Sequence, residues 1–274
     1  MANLVLKKNN LIYKDSNLAF KQKPLWSPAY ISTEGWWDAS DTTTCICSGV
    51  GTFVSQLDDK SGNDQHLTQP TEWARPQTTV DTQNGLHWLY YTGGNALATY
   101  GNNFAVPADG NFSVFQVGEI FLPLDNEADG MFSMLNASGR DWQFVGGVDK
   151  NNWNGRLVVT ELGGSNMNFA TPMGIGASIY NIVFDYDSSA ITGYVDGNIR
   201  PGTTYTLKVT TPQTFIVMSN RVGNAPAGHV GETIIVNDVT EVTRQKIEGY
   251  LAWKWDLVHA LPVDHPYKDA PPYV

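Results

Sequence analysis

Most of the chain consists of short segments rich in β-branched and aromatic residues, separated by Gly, Asn, Asp and Pro. Segments of this length and composition are typical of β-strands. They lie at residues 112–121, 156–160, 180–186, 190–195, 215–219 and 232–236. Asp196-Gly197 between two such segments predicts a tight hairpin turn. Many short strands with turn residues between them predict a β-sandwich or a β-barrel.

One segment, from Thr240 to about Asp256, breaks this pattern. Ile247, Leu251 and Trp255 recur at helical spacing and predict a buried stripe on one helix face. Thr240 is a suitable N-cap, and a proline at residue 262 prevents the helix from continuing. The sequence therefore predicts a strand-rich body closed by one C-terminal helix.

Composition excludes several classes of protein. Hydrophobic residues make up 42% of the 274 residues and charged residues 16%, which argues against a coiled coil. No apolar run approaches the roughly 18 residues of a membrane span, so membrane insertion is not expected. The net charge of −10 makes nucleic acid a poor partner.

Several motifs resemble one family. Three of the motifs lie near the C-terminus, at residues 228–236, 243–255 and 261–268. Four lie in the N-terminal half: Gly35-Trp-Trp-Asp-Ala-Ser40, Leu57-Asp-Asp-Lys-Ser-Gly-Asn63, residues 74–76 and residues 85–87. Together they resemble the laminin-G-like, concanavalin A-like jelly-roll domains of bacteriophage virion proteins and bacterial surface proteins. The resemblance covers about residues 25–268. Asp256 departs from it, since such domains usually carry Gly there, but Asp tolerates a left-handed helix end.

The resemblance implies an all-β fold: a concanavalin A-like (laminin-G-like) β-sandwich jelly roll with one C-terminal helix and an N-terminal extension. The domain spans residues 25–274. Residues 1–24 precede it and carry five lysines against one aspartate, a net charge of +4, whereas the remaining 250 residues sum to −14. A basic segment on an acidic body indicates a separate role for the segment.

We interpret residues 1–24 as an attachment arm that orders on a partner. The residues assigned to attachment are Leu4, Leu6, Lys7, Lys8, Ile12, Lys14, Leu18 and Phe20. The alternative is an extra strand folded onto the protein's own acidic sandwich.

Catalytic and metal sites are not indicated. Asp125-Asn-Glu-Ala-Asp129 is the densest carboxylate cluster, but it follows a proline and is typical of a solvated acidic loop. The Asp-Asp-Lys-Ser-Gly-Asn turn at residues 58–63 could supply calcium ligands, yet it lacks a complete calcium-loop signature and is interpreted as structural. Cys45 and Cys47 are interpreted as reduced thiols in a strand. The expectation is therefore no catalytic residue, no metal and no cofactor.

Aromatic residues are the remaining signal for binding. Nine Trp and 12 Tyr exceed what a core of this size must hold. Four of them, Trp73, Tyr100, Trp142 and Trp153, lie in turn-like contexts among polar residues and glycines. Exposed aromatic faces beside polar groups stack on sugars and hydrogen-bond to them, so these four are the candidate glycan-binding residues. The alternative for each is a half-buried part of the scaffold.

The resemblance then implies a non-enzymatic bacteriophage virion surface protein, either a capsid decoration or a tail adhesin, that binds host-surface or environmental glycans. Its partners would be other virion proteins, bound through the N-terminal arm, and it could form a homo-oligomer. No secretory signal is visible, so it would be made in the host cytoplasm and act on the virion surface. Two alternatives are a glycan-cleaving enzyme on the same fold and a bacterial cell-surface binding module.

Overall fold

The computed structural model of the protein describes residues 4–7, 10–13, 23–48, 52–99, 104, 110–121, 129–136, 143–148, 156–160, 167–172, 176–200, 213–218 and 226–274. Within them the chain forms twenty strands and one α-helix. The strands are β1 Leu4–Lys7, β2 Asn10–Tyr13, β3 Gly35–Asp38, β4 Cys45–Cys47, β5 Val54–Leu57, β6 Leu67–Thr68, β7 Thr82–Gln83, β8 Leu86–His87, β9 Leu89–Thr92 and β10 Leu97–Ala98. They continue as β11 Phe112–Ile120, β12 Asp129–Asn136, β13 Gln143–Val148, β14 Arg156–Thr160, β15 Met167–Pro172, β16 Ser178–Asp185, β17 Ala190–Val195, β18 Asn198–Arg200, β19 Gln213–Val217 and β20 Ala227–Val236.

Two large sheets hold most of these strands. One has nine strands in the order β15-β14-β13-β12-β19-β10-β6-β5-β4, and the other has the order β18-β17-β16-β11-β20-β3 with β9 also paired to β20. Two small sheets, β1-β2 and β7-β8, complete the set. All described strand pairs are antiparallel. The predicted strands are therefore confirmed, and the sheets form a sandwich-like arrangement.

The main core lies between the two large sheets. Trp37 of β3 stacks on Phe215 of β19, with ring centroids 5.2 Å apart and planes 10° from parallel. Val114 of β11 and Phe132 of β12 belong to the same buried cluster. Contacts of this kind bury apolar surface from both sheets, which is the dominant favourable term in folding.

A second core lies between the outer face of the β11-β20 sheet and helix α1, Glu241–Trp255. Ile247, Leu251 and Trp255 are fully buried there, which confirms the predicted stripe. Because α1 covers this face, β11 is buried on both sides, and nearly all of its successive residues are buried.

The ends of α1 follow the predicted chemistry. The Thr240 side chain accepts a hydrogen bond from the Thr243 amide at 3.4 Å, so Thr240 is the N-cap. Asp256 ends the helix in the left-handed conformation, with φ 57° and ψ 38°. Asp is therefore tolerated at the position where the resembled domains usually carry Gly. The described part of the chain contains no helix with the length and apolar character needed to cross a membrane.

Candidate functional site

Of the four predicted glycan-binding residues, Trp73 lies within the described chain. It belongs to a short 3-10 helix, Glu72–Ala74, and its side chain is 80% exposed. Tyr100, Trp142 and Trp153 lie outside the described residues. Trp73 is thus an aromatic surface open to a ligand.

The predicted attachment residues are described in part. Leu4, Leu6 and Lys7 lie in β1 and Ile12 lies in β2, and these two strands pair as a small antiparallel sheet. The other four, Lys8, Lys14, Leu18 and Phe20, lie outside the described residues. In the acidic segment, Asp129 is the first residue of β12, and the two carboxylates at positions 125 and 127 lie outside the described residues.

The turn at residues 58–63 is predicted to be structural, and in the structure the Asp59 carboxylate accepts hydrogen bonds from neighbouring residues of the fold. Asp59 Oδ1 accepts hydrogen bonds from the amides of Trp36 and Ser61, both at 2.9 Å. Asp59 Oδ2 accepts from the Ser61 hydroxyl at 2.6 Å and from the Gln65 amide at 3.0 Å. The described residues bring together no group of three or more His, Cys, Asp or Glu side chains that could hold a metal ion.

Glu232 is a buried carboxylate whose two oxygens are occupied by protein donors. Oε1 accepts from the Trp36 indole at 2.7 Å and the Tyr250 hydroxyl at 3.0 Å, and Oε2 accepts from Lys254 at 2.7 Å and the Trp255 indole at 3.1 Å. Burial raises the pKa of Glu232, and the neighbouring ammonium of Lys254 opposes that rise. This network joins α1 to the sheet and leaves no oxygen for a substrate.

A different group of ionisable side chains lies close to the surface. Nδ1 of His229 on β20 is 3.2 Å from Oε2 of Glu119 on β11, and its Nε2 is 3.9 Å from Oδ2 of Asp81. The imidazole is nearly buried, whereas the Glu119 and Asp81 side chains are 23% and 60% exposed. One imidazole therefore stands between two carboxylates that both reach solvent. We call Asp81, Glu119 and His229 the carboxylate–histidine cluster.

Aromatic rings surround this imidazole. Trp88 stacks on His229 with centroids 4.2 Å apart and planes 3° from parallel. Tyr90 lies at 5.3 Å, and Phe121 meets the imidazole edge-on at 5.0 Å. The buried Nε1 of Trp88 has no hydrogen-bond partner within the described chain. An unsatisfied buried donor costs free energy.

Two glycines allow β11 and β20 to approach closely at the cluster. A Cβ on Gly228 would lie 2.1 Å from the carbonyl oxygen of Glu119, and one on Gly118 would lie 2.7 Å from that of His229. The strand register also shifts between Val117 and Gly118, which marks a β-bulge. Bulges re-aim side chains and are common beside active sites. Here the bulge precedes the pairing of Glu119 with His229.

Asp81 is positioned by the β7–β8 hairpin that follows it. The turn residues of this hairpin, Asn84 and Gly85, have φ of 55° and 72°, as a two-residue hairpin turn requires. Asn84 donates to the carbonyl of Lys254 at 2.8 Å, and Gln83 donates to that of Trp255 at 3.0 Å. The hairpin is therefore fixed to the C-terminal end of α1, and Asp81 is held beside the sheet.

A groove of about 560 Å³ lies at the amino-terminal end of α1, against β16–β18. Arg244 is the one cation among its described lining residues. Its guanidinium lies 4.0 Å over the Tyr194 ring and binds both oxygens of buried Glu248, at 2.8 and 2.7 Å. Because the guanidinium is already paired, the groove is poorly suited to an anionic ligand.

Solved structures share this fold at low sequence identity. An arabinofuranosidase complexed with arabinofuranosyl-α-1,2-xylobiose matches with a TM-score of 0.56 and 13% identity, over 72% of this chain and 50% of that one. An α-L-arabinofuranosidase soaked with 4-nitrophenyl α-L-arabinofuranoside matches with 0.53 and 14%, over 72% and 50%. The sialidase of Trypanosoma rangeli in complex with the inhibitor DANA matches with 0.51 and 12%, over 81% and 34%.

This chain thus spans between a third and a half of the length of those enzymes. No protein-family model matches it. No curated protein sequence matches it either. The likeness establishes a β-sandwich fold shared with carbohydrate-active proteins.

The comparison corrects two predictions. The neighbours in fold are glycoside hydrolases, which contradicts the predicted non-enzymatic virion function and the prediction that the chain is not an enzyme. They provide no link to a bacteriophage. The predicted location on a virion stays a prediction.

The carboxylate–histidine cluster was not predicted, because its members are far apart in the sequence. Glu119 and His229 are 110 residues apart and meet only through the β11–β20 pairing. Asp81 arrives from a third segment. One usable signal was present, since Glu119 lies in the predicted strand 112–121, where apolar residues are expected. His229 precedes the predicted strand at residues 232–236 and was not marked by it.

Proposed function

We propose that the chain recognises a glycan and hydrolyses a glycosidic bond at the carboxylate–histidine cluster. The observation that carries this proposal is the position of His229, 3.2 Å from Glu119 and 3.9 Å from Asp81. Glycoside hydrolysis commonly uses two carboxyl groups, one that protonates the leaving oxygen and one that activates water or attacks the sugar. Glu119 and Asp81 supply that pair.

The roles follow from the surroundings of each carboxyl group. Glu119 is the less exposed of the two and lies 3.2 Å from His229, so it is assigned to proton transfer to the leaving glycosidic oxygen. Asp81 is the more exposed and meets solvent, so it is assigned to accept a proton from the attacking water. The C–O bond to the leaving sugar breaks as the water oxygen bonds to the anomeric carbon. His229 is a positioning residue that orients both carboxyl groups.

The surroundings also suit a sugar. Tyr90 and Phe121 place aromatic rings beside the cluster. The fold neighbours support glycans as the substrate class, because their structures hold an arabinosylated xylobiose and a sialidase inhibitor. We also propose that the sandwich has the topology of a concanavalin A-like jelly roll.

The experiment is sugar release by the purified chain. The substrates are 4-nitrophenyl α-L-arabinofuranoside, a 4-nitrophenyl sialoside, arabinoxylan and a sialylated glycoprotein. The wild type is expected to release product from at least one of them, and Glu119→Gln to abolish that release. The matched control is Asp264→Asn, an exposed carboxylate in the C-terminal segment, which is expected to retain wild-type rates. No release from any substrate, or release that Glu119→Gln leaves unchanged, overturns the proposal.

A further inference from the structure

Trp73 is unusually exposed for a tryptophan. Its side chain is 80% accessible, although tryptophans are on average highly buried. The 3-10 helix that carries it is only three residues long, and the next residue, Ala74, is buried. The backbone is thus anchored while the indole points away from the core.

Hydrogen bonds hold the segment that carries Trp73. The Arg75 guanidinium donates to the carbonyls of Gln69 and Pro70, at 2.8 and 2.9 Å, and to the Ser48 hydroxyl at 2.5 Å. Buried Gln69 donates to the carbonyl of Ala96 at 2.9 Å. These bonds fix both ends of the segment, so little conformational entropy remains to be lost when a ligand binds.

A facing turn completes the surface. Asn95 is buried and donates to the carbonyl of Arg75 at 3.1 Å, and its Oδ1 accepts from the amide of Thr92 at 2.8 Å. The intervening Gly93 and Gly94 are exposed, with φ of 88° and 83°. The turn therefore presents backbone and no bulky side chain next to the Trp73 segment.

The polar surroundings decide which partner fits. Thr71 and Glu72, which precede Trp73, are both exposed. A protein–protein interface needs a contiguous apolar centre, whereas a sugar ring combines an apolar C–H face with hydroxyl groups. One exposed indole on a fixed backbone, beside a carboxylate, a hydroxyl and open backbone, matches the sugar.

We propose that Trp73 and its flanking segment 69–75 bind a sugar ring of a polysaccharide, at a site separate from the carboxylate–histidine cluster. The C–H face of the ring stacks on the indole, and the Glu72 carboxylate accepts hydrogen bonds from sugar hydroxyls. This docking site would hold a polymeric substrate near the chain while the cluster acts on it. The inference rests on the proposed function only for the ligand class, because the binding itself requires no cleavage.

The test is retardation of the protein in native gels that contain arabinoxylan or, separately, a sialylated mucin. The wild type is expected to be retarded in at least one gel, and Trp73→Ala to weaken apparent affinity about tenfold. Trp73→Tyr should restore part of the binding. Val263→Ala, which alters another highly exposed apolar side chain, is the matched control and should bind as the wild type does. Because Trp73 is exposed, its variants should melt at the wild-type temperature.

Two further readouts separate the proposals. Glu119→Gln should be retarded like the wild type, and Trp73→Ala should hydrolyse any small chromogenic substrate at the wild-type rate. A wild type that is retarded but cleaves nothing overturns the cleavage proposal and leaves the docking site standing. The docking site is overturned if the wild type is not retarded in either gel, or if Trp73→Ala is retarded as strongly as the wild type. It is also overturned if the wild type forms a dimer in size-exclusion chromatography and Trp73→Ala abolishes that dimer.

Discussion

The Nδ1 atom of His229 lies 3.2 Å from Oε2 of Glu119, across a strand pair that joins residues 110 positions apart. The approach depends on Gly118 and Gly228, where a side chain would collide with the facing backbone. Since Asp81 lies on the other side of the imidazole, the strand pairing places a histidine between two carboxylates. The proposed chemistry depends on this geometry.

Replacing His229 with Phe should separate its chemical role from its packing role. A Phe ring can stack on Trp88 as the imidazole does, so the variant should fold with a melting temperature near that of the wild type. It lacks the two nitrogens that contact Glu119 and Asp81, so kcat should fall about 100-fold or more with KM changed little. An unchanged kcat in a folded variant would show that His229 only packs.

Leu251→Ala should destabilise the protein by about 2–5 kcal/mol, because Leu251 is fully buried on the sheet-facing side of α1 and its truncation leaves a cavity. Val242 lies on the same helix and is 72% exposed. Val242→Ala is therefore the matched control and should change stability by no more than about 0.5 kcal/mol. Urea unfolding measures both, and equal midpoints for Leu251→Ala and wild type would refute the packing described.

Lys254→Met should be strongly destabilising. The ammonium lies 2.7 Å from Glu232 and 2.8 Å from Asp38, and its removal leaves two buried carboxylates without this cation. Breaking a buried pair costs about 3–5 kcal/mol. A double variant with Glu232→Gln should lose less than the sum of the two single losses. Strictly additive losses in urea unfolding would mean that Lys254 and Glu232 are not coupled.

Asp41 predicts a pH-dependent contribution to stability. Hydrogen bonds from Lys60 and Thr43 lower the pKa of Asp41 from 3.8 to about 2. The folded state therefore binds this proton less readily than the unfolded state, so the contribution is complete above about pH 4 and is lost as the pH falls towards 2. Wild type should melt above Asp41→Asn at pH 6, and the difference should shrink by pH 2.5. A difference that stays constant with pH would contradict this.

Local chemistry predicted much of the fold from the sequence. The spacing of Ile247, Leu251 and Trp255 marked the buried face of α1 because helical periodicity needs no knowledge of the partner surface. The Asp196-Gly197 turn was predictable because both residues must adopt positive φ, here 51° and 74°. The turn-like context of Trp73 argued against full burial but left a half-buried side chain open, and its 80% exposure became clear only from the structure.

The carboxylate–histidine cluster was not predictable in the same way. Its members come from a loop and two strands, and their proximity depends on sheet order and on the bulge between Val117 and Gly118. Hydrophobic periodicity and turn residues report local structure and do not indicate which distant strands pair. Glu119 and Asp81 also reach the imidazole from separate segments, so no local run of carboxylates marks them in the sequence.

The most direct test of the central claim is to compare kcat for the wild type, Glu119→Gln, Asp81→Asn and the double variant on the substrate that the wild type cleaves. Groups that act together on one bond are not additive when removed. Each single variant should lose at least about 100-fold in kcat, and the double variant should lose little more than the worse single one. Wild-type kcat in either folded single variant would contradict the claim that these two carboxylates cleave the glycosidic bond.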